Sequence, residues 1–173
     1  MRKIIVIAAA LALPAATPAS AQRQRIEWSI ERDGSTADAS RVQLTMDSRW
    51  GANSRSTWSN DRPISDLQGL STTQVAGPRG PVRFALVREA GRLDCAGTAG
   101  NITGRGKCGF TADPAFSAYL QSKGIGRPDL RDSYSLTMSG VGRRLVEALD
   151  SFGYVKPTVD QLSSLGIHGV SED

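Results

Sequence analysis

The residues best suited to binding chemistry crowd into one stretch. Between positions 49 and 62, Arg49, Trp50, Arg55, Trp58 and Arg62 interleave two indoles with three guanidiniums. Exposed, such side chains anchor interfaces and stack on sugars or bases; turned inward onto a sheet, the same tryptophans are core. A second stretch, Leu165-Gly166-Ile167-His168-Gly169, spells hydrophobic-Gly-hydrophobic-x-Gly. That pattern resembles a helix-hairpin-helix loop, which holds a DNA phosphate with backbone N–H groups. His168 is the one histidine of the chain, and it is expected to pack or hydrogen-bond at a turn rather than to catalyse. A carboxylate-based site near Trp50 and Trp58 is the alternative chemistry.

The common catalytic signatures are missing. Gly104-Arg105-Gly106-Lys107-Cys108-Gly109 spells G-x-G-x-x-G, but a dinucleotide site needs that motif between a strand and a helix N-terminus. Here the flanking residues predict a β hairpin. Neither G-x-S-x-G nor S-x-x-K occurs, so serine hydrolase signatures are absent. A single histidine cannot build a His-paired metal site. No catalytic residue, cofactor or metal is expected. Cys95 and Cys108 stand thirteen apart, too far for C-x-x-C redox chemistry. In an exported chain, an even cysteine count favours a structural disulfide. Closing a loop of that size contributes on the order of 3 kcal/mol.

Export itself is written at the N-terminus. Arg2 and Lys3 precede an apolar run from Ile4 to Leu13, and Ala19-Ser20-Ala21 supplies an A-x-A cleavage site. Residues 1–21 are therefore expected to be a cleaved signal peptide, and the apolar run is half of the roughly 20 residues a spanning helix needs. Cleavage after Ala21 leaves 152 residues and removes two of 21 basic side chains against 17 acidic ones, so the net charge falls from +4 to +2. That weak charge argues against nucleic acid as a partner, because affinity for it rests on neutralised phosphates. No cysteine stands at position 22 for a lipid anchor, and no later segment is apolar enough to span a bilayer. The expected location is the periplasm or the exterior.

The elements that must position these residues divide the mature chain in two. Over 22–112 the pattern is β. Ile26, Trp28 and Ile30 alternate with polar neighbours, as do Val42, Leu44 and Met46 beyond a polar turn. The segment 49–62 shows little apolar periodicity, 63–70 reads as one helical turn stopped at Gly69, and 71–81 reads as loop. Val82 to Leu86, Leu93 to Gly97 and Lys107 to Thr111 read as three further strands, with a turn at Glu89–Arg92 using Gly91 at positive φ and a glycine-rich loop over 98–106. From 113 to 173 the pattern is helical. Asp113 is a good N-cap, Pro114 suits the first helical position, and Gly124 is a C-terminal stop. The predicted fold class is α+β, a small antiparallel meander or sandwich followed by an all-helical region.

The helical region repeats. Ala115–Val141 aligns without a gap on Arg144–Val170, an offset of 29, with eight of 27 pairs identical. Gly124 matches Gly153, Pro128 matches Pro157, and Leu120 and Leu136 match Leu149 and Leu165. Each unit reads as a helix ending at Gly, a connection through Pro, and a second short helix. A unit this small cannot bury its apolar stripe alone, so the copies are expected to pack together and on the sheet. The array is then either capped by the β half or open to a partner at its far end.

The repeat resembles one found in bacterial envelope proteins encoded near BlaR1-like, M56-type membrane metallopeptidases. Gly153-Tyr154, Val159-Asp160-Gln161-Leu162 and Ile167-His168-Gly169-Val170 carry that likeness. Asp66-Leu67-Gln68-Gly69-Leu70, Pro81-Val82-Arg83-Phe84 and Glu89-Ala90-Gly91-Arg92-Leu93-Asp94-Cys95 extend it into the front half. The family supplies no catalytic residues to carry over, and the peptidase's His-Glu-x-x-His is absent here. The expected function is a non-catalytic exported envelope protein that binds another envelope protein or peptide through its repeats. A small periplasmic hydrolase and a helix-hairpin-helix-like DNA binder are the alternatives.

Overall fold

The computed structural model describes residues 24–32, 40–51 and 54–168. The expected signal over 1–21, and Gly169 and Val170 of the repeat, lie outside the described residues.

Strand β1 (Gln24–Glu31) buries Ile26, Trp28 and Ile30, and β2 (Arg41–Trp50) buries Val42, Leu44, Met46 and Trp50. The two pair antiparallel with Trp28 opposite Met46. Against expectation, residues 54–63 form a third full strand, β3 (Ser54–Pro63), laddered to β2 with Trp58 opposite Met46. Polar cross-strand pairs supply what apolar periodicity lacks. Ser59 Oγ bonds the side chains of Gln43 and Thr45, and Thr57 Oγ1 donates to Asp47 Oδ1 at 2.6 Å. A polar strand is what a sheet edge requires.

The single helical turn expected over 63–70 is a 3-10 turn, Ile64–Asp66, followed by a two-residue strand, β4 (Leu67–Gln68), and Gly69 at φ +97°. The expected loop over 71–81 holds helix α1 (Thr72–Ala76). Ser71 and Gln74 form a capping box there, each side chain accepting from the other's backbone N–H. Strands β5 (Gly80–Arg88), β6 (Gly91–Gly100) and β7 (Thr103–Ala112) then run as two tight hairpins. The glycine-rich loop expected over 98–106 shrinks to Asn101 and Ile102, at φ 54° and 62°. Gly91 lies inside β6 rather than at positive φ; it is required because a Cβ there would stand 2.6 Å from the Phe110 ring.

Glycine is needed for space in the hairpin β6–β7 as well. A Cβ on Gly106 would lie 2.6 Å from Trp28 Nε1, and one on Gly97 2.8 Å from the same indole. Trp28 therefore lies flat across β7 and β6, donating Nε1–H to the carbonyl of Ala96 at 3.3 Å and meeting Phe84 edge-on at 5.0 Å. The G-x-G of residues 104–106 is a slot for an indole.

All seven strands join one antiparallel sheet in the order β3-β2-β1-β7-β6-β5-β4. Two meanders, β1–β3 and β4–β7, meet where β1 pairs with β7. The edge strands β3 and β4 are consecutive in the chain, three residues apart, so their facing ends cannot be more than about 14 Å apart. The sheet must curl, wrapping its apolar face around one core. Asp66 fastens the curl, meeting Arg88 of β5 at 2.6 Å and Arg62 of β3 at 3.7 Å. Cys95 and Cys108 stand directly opposite on β6 and β7 and form a disulfide.

Among the described residues four helices follow: α2 (Pro114–Ser122), α3 (Leu130–Ser139), α4 (Arg143–Ser151) and α5 (Val159–Ile167). Asp113 caps α2, accepting from Phe116 N–H, with Pro114 at the first position as expected. Capping boxes open α3 (Asp129, Asp132) and α5 (Thr158, Gln161) in the same phase. Among the described residues no helix is long and apolar enough to cross a membrane. Helix α3 belongs to two cores at once. Tyr134 and Met138 join the sheet core, Tyr134 between Trp50 at 5.1 Å and Phe110 at 5.6 Å. Leu136 points the other way, into a helical core with Phe116, Leu120, Val146 and Leu162.

Candidate binding surfaces

The residues from 49 to 62 are sorted by the pleat. Trp50 ends β2 inside the sheet core, its Nε1–H donating to Ser48 Oγ at 3.1 Å. Arg49 and Arg55 face each other across β2 and β3 on the wet side, with Asp47 beside Arg55 at 3.3 Å. The Thr57 hydroxyl, opposed by burial and helped by Arg55 and Arg49, holds the Asp47 carboxyl below its ordinary value. Trp58 is half-buried against the core. Indoles and exposed guanidiniums thus lie on opposite faces and form no common stacking platform.

Trp58 and Arg62 do share a polar groove of about 450 Å³ between β3, the 3-10 turn and the C-terminal ends of α3 and α5. Asp61 and Asp66 line it too. One oxygen of each meets arginine, Asp61 Oδ2 meeting Arg41 and Asp66 Oδ2 meeting Arg88 and Arg62. Arg62 is largely enclosed and donates to the carbonyl of Met138 at 2.9 Å. Burial first, then Arg88, depress its guanidinium, and Asp66 opposes them. This cluster ties the curled sheet to α3. Among the described residues no group of three or more His, Cys, Asp or Glu is placed to hold a metal ion.

A different surface stands out on the helical half, where the sequence singled out the stretch from Leu165 to Gly169 and His168 within it. Phe152, Tyr154 and Val155 are 79%, 67% and 92% exposed, while exposed Ile167 belongs to the polar groove of Trp58 and Arg62. Tyr154 and Val155 border an open groove of about 340 Å³, whose wall also includes Leu149, Pro157, Leu165, His168 and the polar Gln161 and Ser164. The expected turn at 165–169 is helical as far as Ile167, so Leu165 and Gly166 are part of α5, and His168 is the exposed residue just beyond. Gly166 lets α5 close on α3, since a Cβ there would stand 2.7 Å from the carbonyl of Ser139.

Position by position, 29 residues earlier, the corresponding surface is covered. Leu120, Pro128 and Leu136 are buried and Ile125 is half-buried, whereas Leu149, Pro157 and Leu165 are half-buried and Tyr154 is exposed, all four bordering the groove. Leu120, Ile125 and Leu136 share an apolar cluster with Leu145 and Val146 of α4 and Leu162 of α5. Polar pairs fix α4 there, Tyr119 Oη to Glu147 at 3.4 Å and Lys123 Nζ to Asp150 at 3.1 Å. The signal was present in the sequence as the 29-residue offset, but exposure is a property of packing.

No protein-family model, curated protein or solved structure matches this chain.

Proposed function

We propose that this protein is an exported, non-catalytic binding module of the bacterial envelope, whose helical half takes a segment of another envelope protein or a peptide. The observation that carries the reading is the apolar groove over α5 and the 152–157 connection, bordered by large side chains standing in solvent. A contiguous patch of that kind on a small domain marks an interaction site. Residues 113–168 are read as two copies of one unit, the second leaving half-covered, among the described residues, the face that the first buries. Export is supported by the three-part signal pattern of residues 1–21. The Cys95–Cys108 disulfide agrees, since such bonds persist in oxidising compartments. The likeness to envelope proteins encoded near BlaR1-like peptidases points to the same compartment and brings no catalytic residue with it. The hydrolase alternative has Asp61 and Asp66 in one groove, but each is ion-paired to arginine through Oδ2.

A photo-crosslinking amino acid at Val155, compared with one at Arg83 on the outer face of β5, tests the reading in envelope extract. A discrete adduct from position 155 alone, lost when Leu165→Glu is added, is the expected result. Saturable turnover of a cell-wall, peptide or ester substrate, abolished by Asp61→Asn or Asp66→Asn while position 155 stays silent, overturns it.

A further inference from the structure

We infer that the open groove is a seat for one amphipathic helix of the partner, docked as α4 docks on the preceding helices, but with an apolar residue where α4 carries Asp150. The inference deepens the binding reading above and rests on it.

The structure contains its own precedent for what fills such a face. Leu120, Ile125 and Leu136 meet a helix that presents Leu145, Val146 and Leu149, apolar residues one turn apart. Moving 29 residues along the chain turns that receiving surface into Leu149, Tyr154 and Leu165, which line the groove. An apolar stripe at i and i+4 on a helix is the shape such a groove accepts. The backbone around it repeats as well. Gly124 and Gly153 both turn left-handed, at φ 73° and 70°, and capping boxes start the following helices at Asp129 and Thr158. Among the described residues, the first-unit interface therefore continues across the second as a half-covered groove, Leu149 and Leu165 touching the helical core on one side and the groove on the other.

The two seats differ in their polar rim, and the difference sets specificity. Where the first offers Tyr119 and Lys123 to Glu147 and Asp150, the second offers Ala148 and Phe152. An aspartate at that place on an incoming helix would lose its cation and lie against an exposed aromatic ring. The partner helix is selected for an apolar side chain there. A second copy of this chain cannot supply α2 for the purpose, because Phe116 and Leu120 are already buried within their own molecule.

The probe is a synthetic helical peptide with the sequence of residues 143–151, stapled between positions 147 and 151, alongside the same peptide with Asp150→Leu. Binding to the full mature chain is read by fluorescence anisotropy. The Asp150→Leu peptide is expected to bind saturably and at least about five-fold more tightly than its parent, roughly 1 kcal/mol at 25 °C. Leu165→Glu and, independently, the exposed Val155→Asp in the protein should each weaken it about ten-fold or more. Equal affinity of the two peptides, or binding unaffected by both protein variants, overturns the helix seat. So does no binding up to about 1 mM peptide, or a concentration-dependent dimer that both variants abolish. The position-155 crosslink separates the two failures. An adduct there with no peptide binding leaves a binding module without a helix seat, whereas silence in both assays removes the binding reading as well.

Discussion

Trp28 shows how single residues decide this fold. Its indole spreads over two neighbouring strands because Gly97 and Gly106 leave the space, and its N–H is satisfied by Ala96 O. Gly106→Ala puts a methyl into that indole and into the backbone of β6. Overpacking of this kind is expected to cost about 3 kcal/mol, read as a lower denaturation midpoint with Trp fluorescence as the probe. Tyr134 offers the opposite case. Its hydroxyl is buried beside Ser48 without a hydrogen bond of normal geometry, so Tyr134→Phe should change stability at neutral pH by no more than about 1 kcal/mol. Burial pushes its ionisation up to about 12, with Ser48 pulling it down and Asp47 adding a smaller upward push. A native value above the unfolded one, near 10, means the folded state holds the proton longer. The associated stability is complete below about pH 10 and disappears as pH rises through about 12, a loss on the order of 3 kcal/mol. Alkaline unfolding of the wild type should therefore be steeper over that window than that of Tyr134→Phe.

At the scale of elements, α3 is the piece on which both halves depend. It gives Tyr134 and Met138 to the sheet core and Leu136 to the helical one. A fragment ending at Ala112 loses the first two and uncovers Trp50 and Phe110. That fragment is expected to bind a hydrophobic dye and to unfold without a cooperative transition, in contrast to the full mature chain. The clamp formed by Arg62, Asp66 and Arg88 works between elements as well. Asp66→Asn leaves two guanidiniums facing a neutral amide. Because about a quarter of the Asp66 side chain stays exposed, the cost should fall near 2 kcal/mol, below that of a fully buried pair. Thermal unfolding with and without high salt checks it, since salt cannot restore the lost carboxylate. Elements with a clean period were legible in the sequence: β1, β2 and β5 lie where alternation puts them, and α2 where Asp113 and Pro114 do. β3 was not, because its partners are polar and belong to another strand. α1 was missed although Ser71-Thr72-Thr73-Gln74 spells its capping box.

Over the whole molecule, closure and exposure are what matter. Cys95–Cys108 joins strands that are already paired in register, so removing the bridge should lower stability without changing topology. The loss is expected to be on the order of 3 kcal/mol, measured by comparing the oxidised protein with a Cys95→Ser, Cys108→Ser double variant. Val155→Asp, in contrast, should alter stability by less than about 0.5 kcal/mol, because the side chain is almost fully exposed. A large effect there on partner capture, with none on the denaturation midpoint, separates a binding surface from a structural one.

The chain's covalent sequence by itself determined the α+β order, the disulfide, the helix caps and the 29-residue offset. Each of these depends on neighbours along the chain or on a fixed period. Tertiary structure alone decided which tryptophan is core, what the glycines of β7 are for, and that the edges of one curled sheet meet at Asp66. It also decided that the same apolar pattern is fully buried at Leu120 and Leu136 but only half-buried, at the edge of a groove, at Leu149 and Leu165. Burial depends on what arrives from elsewhere in the chain, and two copies of one pattern do not receive the same neighbours.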